Sequence, residues 1–138
     1  MSGPLLLDTC ALIWISQAEP ISAQARSALD VLWGRGSAPL VSPISAWEVG
    51  TLVTRGRLAL TMSPERWWEA AMVRVGLELA PMPPGLLLAS THLPGSPPND
   101  PADRIIAATA REQGLQLMTR DAKLIAYGEA GHLDVLIC

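Results

Sequence analysis

Apolar residues in this chain fall in short solid runs separated by longer amphipathic stretches. Leu5-Leu6-Leu7 is a run of this kind closed by Asp8, and it reads as a buried strand. Residues 9–16 are apolar on every side and predict a buried helix. Residues 22–33 are amphipathic, with Ser22 as N-cap and Gly34 as stop. Leu40-Val41 is a second short strand. Ser42-Pro43 then sets an N-cap before a proline at the first helical position. That helix carries Trp47, Glu48 and Leu52 and ends near Gly56.

Ser63-Pro64-Glu65 repeats the start signal, and Gly76 stops the next helix. Residues 77–80 read as a strand and 84–92 as a short helix. A loop follows through Leu93-Pro94-Gly95-Ser96-Pro97-Pro98, whose prolines withhold backbone donors and interrupt any regular element. Asp100-Pro101-Ala102-Asp103 opens a helix that runs to Gly114. Residues 115–118 predict a strand, 121–127 a short helix and 135–137 a last strand. Solid apolar strands divided by helices imply a parallel sheet buried on both faces. The expected fold is a three-layer α/β/α domain with a mainly parallel central sheet. Its working surface should lie at the carboxyl ends of the strands.

The 138 residues suit one domain spanning 1–138. A chain of this length buries roughly 68% of its unfolded surface, enough for a core without staples. A hydrophobic fraction of 49% excludes disorder for the bulk of the chain. No apolar run reaches the ~18 residues of a membrane span. Asp8 interrupts the first apolar stretch, and no Lys or Arg precedes it, so it does not read as a signal peptide. Cys10 and Cys138 cannot build a disulfide framework, so a reduced, cytoplasmic chain is expected. Cys10 reads as a small buried residue and Cys138 as a frayed terminus.

The net charge of −3 argues against a generally basic, phosphate-binding surface, unless the acids are gathered in one place. Several fall where a parallel sheet would collect them. Asp8 ends the first strand, and Glu48 lies about two turns into the helix after the second. Asp103 lies in the first turn of the helix that Asp100 opens. Asp121 follows the fourth strand after Thr119-Arg120. Convergent carboxylates repel unless a cation joins them or some are protonated. Hard oxygen donors of this kind select Mg²⁺ or Mn²⁺. A simpler reading also fits most of them. Asp8, Asp100 and Asp121 suit N-caps, and Asp103 suits the helix dipole. Glu48 sits between Trp47 and Val49 in an apolar stretch and has no such reading.

Four segments together resemble the PIN-domain family, in particular the VapC-type toxin ribonucleases. They are Leu5-Leu6-Leu7-Asp8-Thr9, Ser45-Ala46-Trp47-Glu48-Val49, Asp100-Pro101-Ala102-Asp103-Arg104-Ile105-Ile106-Ala107-Ala108-Thr109-Ala110, and Thr119-Arg120-Asp121. The resemblance covers the chain from Leu5 to the last strand. It implies a PIN-like fold and a Mg²⁺- or Mn²⁺-dependent endoribonuclease. It also implies a toxin of a toxin–antitoxin pair, inhibited by a cognate antitoxin and forming a homodimer. Asp8, Glu48, Asp103 and Asp121 match the family's four acids as catalytic and metal-binding residues. Asp100 belongs to a variant of the third motif and would reach the metal through water. Thr9 and Thr119 match supporting hydroxyl positions. The loop 95–99 departs from the family, because it lacks the His or Arg that relatives often carry there.

Leaving the four matched acids out of the count takes the net charge from −3 to +1, so an RNA substrate is compatible with the composition. Arg104 and Arg120, each beside a matched acid, are candidate phosphate contacts, as are Arg55, Arg57 and Lys123. Solvation or pairing with surface acids fits them equally well. His92 and His132 share no motif and read as structural or solvent-facing. Trp14 and Trp47 read as core. Adjacent Trp67 and Trp68 point about 100° apart on a helix, so one of them suits a partner contact. With Ile13 and Trp14 they are candidates for a groove receiving an antitoxin tail.

Two other classes stay in view. One is a catalytically silent domain of the same fold that binds RNA or protein; intact acids favour the enzyme. The other is a different phosphotransfer domain. A haloacid-dehalogenase-like phosphatase needs an acid where Cys10 stands, and a receiver domain needs its acceptor Asp on a middle strand.

Overall fold

The computed structural model describes residues 4–138. Its elements run β1 (Leu5–Leu7), α1 (Thr9–Ser16), α2 (Ala23–Gly34), β2 (Leu40–Val41), α3 (Ile44–Thr54), α4 (Pro64–Val75), β3 (Glu78–Leu79), α5 (Pro84–Ser90), α6 (Pro101–Gln113), β4 (Gln116–Thr119), α7 (Ala122–Glu129) and β5 (Val135–Ile137). The five strands form one sheet in the order β3-β2-β1-β4-β5. All four pairings are parallel, with Leu6 opposite Leu40 on one side and Leu117 on the other. The expected α/β class with a parallel sheet is what the chain adopts.

Polar caps fix most of the helix starts. Asp8, Ser22, Ser63, Asp100 and Asp121 each accept a backbone N–H from the first turn of the following helix. Gly76 and Gly114 end α4 and α6 in the left-handed conformation that glycine adopts without strain. One start differs from expectation. Pro43 occupies the cap position of α3 with no side-chain bond, and Ser42 Oγ accepts from Ile44 N at 3.1 Å instead. A proline fixes φ but brings no acceptor, so the serine just before it satisfies the orphan donor.

Successive strand residues point to opposite faces, and this divides the core in two. Leu5, Leu7, Val41 and Met118 pack with α1, α2 and α4 through Leu12, Leu29, Leu32 and Trp67. Leu6 and Leu117 pack with α6 and α7 through Ile106, Ala107, Ala110, Leu124 and Tyr127. The helices that lead leftward from β1 to β3 thus cover one face, and those that lead to β4 and β5 cover the other. The order of strand addition reverses between β1 and β4: β2 and β3 lie to one side of β1, β4 and β5 to the other. In open parallel sheets such a switch point, at the carboxyl ends of the central strands, is where sites form.

Several aromatic and cysteine expectations are corrected. Trp47 is 62% exposed on α3 and is not core. Trp67 is buried and Trp68 is half-buried against the same cluster, so both rings of the pair contribute to packing. Ile13 is also buried, which removes it and Trp67 from an open groove. Cys10 is exposed and Cys138 buried, the reverse of the expectation. The last residue is held because the β4–β5 ladder runs on through it: Cys138 N donates to Thr119 O at 3.1 Å, and Ser22 N donates to Cys138 O at 2.9 Å. No helix among the described residues is long and apolar enough to cross a membrane.

Candidate metal centre

Asp8 stands where β1 becomes α1. Its backbone N–H extends the ladder to Met118 O at 3.1 Å. Its Oδ1 accepts from Ala11 N at 2.7 Å, and its Oδ2 accepts from the Thr119 hydroxyl at 2.5 Å. The Thr119 oxygen also accepts from Asp121 N at 3.0 Å. One threonine at the end of β4 therefore sets the relative position of two acids. Asp121 gives Oδ2 to Leu124 N at 2.9 Å as the cap of α7.

Thr9 plays a similar part for Glu48. Its hydroxyl lies 2.9 Å from Ser45 Oγ and donates to Glu48 Oε1. A hydroxyl has one proton. The carboxylate takes it, so Ser45 donates to Thr9. Ser45 lies three residues before Glu48 on the same face of α3. Sequence reading passed over it, although this spacing is a visible signal.

Glu48, Asp100 and Asp103 bring carboxylate oxygens within 4.8 Å of one another. Asp100 caps α6 through Oδ2, which accepts Asp103 N at 3.0 Å. Capping occupies one oxygen and leaves the other for the cluster. The structure thus places Asp100 among the gathered acids. Asp8 and Asp121 lie outside that trio but close enough for their charges to reach Asp103.

Crowding and burial act together on these groups. Burial first, then the charges of Asp100, Asp121, Glu48 and Asp8, push the Asp103 carboxyl up to about 7. Burial raises Glu48, offset in part by the Thr9 hydrogen bond, with Asp100 and Asp8 raising it further. Burial also raises Asp8, against the stabilising bonds from Thr119 and Ala11. Cys10 sits at the edge of the same field: partial burial of its thiol and the four charges of Asp8, Glu48, Asp103 and Asp121 push it up to about 11. The charges that reach Asp103 are all negative, while Arg120 offsets part of the effect at Asp8. Three carboxylates with oxygens this close are a donor set that fits a small hard divalent cation.

Both flanking arginines have structural partners. Arg120 lies over the Trp14 ring at 3.8 Å and donates to Pro20 O and Cys138 O at 3.2 and 2.9 Å. It fastens the α1–α2 loop to the last strand. Arg104 donates to Ser90 O at 3.2 Å, at the end of α5. We expect Arg120→Ala to lower unfolding stability by about 1–2 kcal/mol, read from urea denaturation, because a cation–π contact and two charge-assisted bonds are lost. An unchanged midpoint would mean that this fastening is idle.

The PIN domain family model matches residues 5–130. The chain belongs to the PIN domain family. Ribonuclease VapC22 of Mycobacterium tuberculosis is 33% identical to this PIN domain over 124 residues, covering 90% of this chain and 91% of its own. Among solved structures, VapBC2 from Rickettsia felis bound to a promoter DNA fragment matches with a TM-score of 0.66 at 15% identity, covering 98% of each chain. DNA-bound VapBC from Salmonella typhimurium matches with a TM-score of 0.59 at 19% identity, covering 99% of this chain and 98% of its own. At those identities the two structures bear on the fold, which the PIN domain here shares.

Proposed function

We propose that residues 1–138 form a single PIN domain that acts as a Mg²⁺- or Mn²⁺-dependent endoribonuclease. It would be the toxin of a toxin–antitoxin pair, cytoplasmic, homodimeric and inhibited by a cognate antitoxin. The observation that carries this reading is the gathering of Glu48, Asp100 and Asp103 at the carboxyl edge of the sheet. The 33% identity to a protein named a ribonuclease supports the choice of substrate.

In this reading Glu48, Asp100 and Asp103 gather round the ion, and Asp8 and Asp121, the other two matched acids, complete the metal-binding and catalytic set. A divalent ion held there supplies positive charge for the phosphodiester and lowers the pKa of an attacking water. The protein does the positioning. Thr9 fixes one oxygen of Glu48, and Thr119 fixes Asp8 against Asp121. Asp103, raised to about 7, exchanges a proton near neutral pH when the cation is absent. Arg104 and Arg120 each use one terminal nitrogen on carbonyls and keep further N–H donors for phosphates.

Incubating the purified protein with end-labelled RNA, with Mg²⁺ or Mn²⁺ or with a chelator, tests the reading. Internal cuts that need the ion are expected. RNA binding without any cutting would favour a silent binding module instead. An antitoxin cation that fills the acidic site would compete with metal, so inhibition by the antitoxin should weaken as Mg²⁺ rises.

A further inference from the structure

The loop 93–99 joins α5 to α6 and ends at Asp100. It has four proline neighbours at 94, 97, 98 and 101, which leave few soft backbone angles between its start and that acid. It is also held from the side. Tyr127, on α7, is buried within the core that contains Ile106 and Leu124. Its hydroxyl donates to Pro94 O at 2.6 Å. The His132 ring lies against Tyr127 with centroids 4.9 Å apart. It also presses on Gly95, where a Cβ would come within 2.4 Å of His132 Nε2 and where φ is +69°. Only a residue without a side chain fits that place and that backbone. Pro98 is buried, which pins the far end of the loop.

We propose that Tyr127 and His132 form a clamp that positions Asp100 for the cation, with Tyr127 as a positioning residue for the metal centre. This rests on the proposed metal-binding role of Asp100. A phenolic hydroxyl is not needed to fill the core, since the ring alone does that. Pro94 is exposed, so water can satisfy its carbonyl once the hydroxyl is gone. The hydroxyl therefore acts on the loop more than on stability. With the bond broken, the near half of the loop loses its hold, and only buried Pro98 and the cap of α6 are left to set where Asp100 stands.

The test is Mn²⁺ binding to the metal-free protein by calorimetry, without RNA. Asp100→Asn should weaken binding most. Tyr127→Phe should weaken it by about 3- to 10-fold, below the ~10–100-fold typical of partners that touch a ligand directly. The double variant should bind no more weakly than Asp100→Asn alone, because both act through one carboxylate. If Tyr127→Phe folds poorly, His132→Ala opens the same clamp with the hydroxyl retained, and the same weakening is expected. Wild-type affinity in both clamp variants, beside a weakened Asp100→Asn, would overturn the clamp and leave the metal reading standing. Wild-type affinity in Asp100→Asn would overturn the metal role of Asp100 itself. Additive losses in the double variant would show that Tyr127 acts on the site by another route.

Discussion

Asp103→Asn is expected to reduce metal-dependent RNA cleavage by at least about 100-fold, because it removes one of the gathered oxygen charges that hold the ion. The substitution keeps the size and shape of the side chain. Asp103 N donates to Asp100 through its backbone, so the cap of α6 survives. What changes is the charge at the centre of the cluster. The carboxyl is pushed up to about 7 by burial and by four neighbouring acids, so its charged form is costly when no cation is present. The metal-free variant should therefore melt no lower than the parent protein, and melting curves together with cleavage rates check both halves. Cleavage near the parent rate would remove Asp103 from the catalytic set.

The second large effect concerns pH. Asp103 has an ordinary value of 3.8 and is pushed up to about 7 on folding. A carboxyl whose pKa rises on folding binds protons better in the folded state. Its contribution favours the fold at low pH and fades as pH climbs from about 4 to about 7. Above that the folded chain carries the full repulsion. Burial drives Asp8 and Glu48 in the same direction. The metal-free protein should melt higher near pH 5.5 than near pH 8, by about 3 °C or more. Saturating Mn²⁺ near pH 8 should restore the loss, since a bound cation stabilises the folded state by mass action. A melting temperature that falls steadily on mild acidification, with no gain from Mn²⁺, would contradict the electrostatic account of the site.

Much of the fold could be read from local signals. Strand runs such as Leu5-Leu6-Leu7 and caps such as Ser63 before Pro64 are decided by a few neighbouring residues, and the structure places them as expected. Features that depend on which way an element faces were less legible. Trp47 is apolar within an apolar stretch, and nothing nearby in sequence shows that α3 turns this position outward. Cys138 looked like a free end because its partner, Thr119, lies one strand away in space. Asp100 was read chiefly as a cap. That assignment holds, but a carboxylate has two oxygens, and sequence cannot tell where the second one points. The bond from Tyr127 to Pro94 spans 33 residues and leaves no trace in either segment.

Thr119 donates to Asp8 across 111 residues of chain. A contact that distant closes late, since the entropy of so large a loop must be overcome before any contact rewards it. Synthesis runs from the amino end, so Asp8 exists long before the strand that will face it. Until Thr119 and Asp121 have been made and β4 has inserted beside β1, the acids cannot be brought to one edge. Incomplete chains thus lack an assembled centre, whatever else they have folded. For a protein proposed to cut RNA, the wiring of the sheet itself delays the hazard until β4 has been made and inserted.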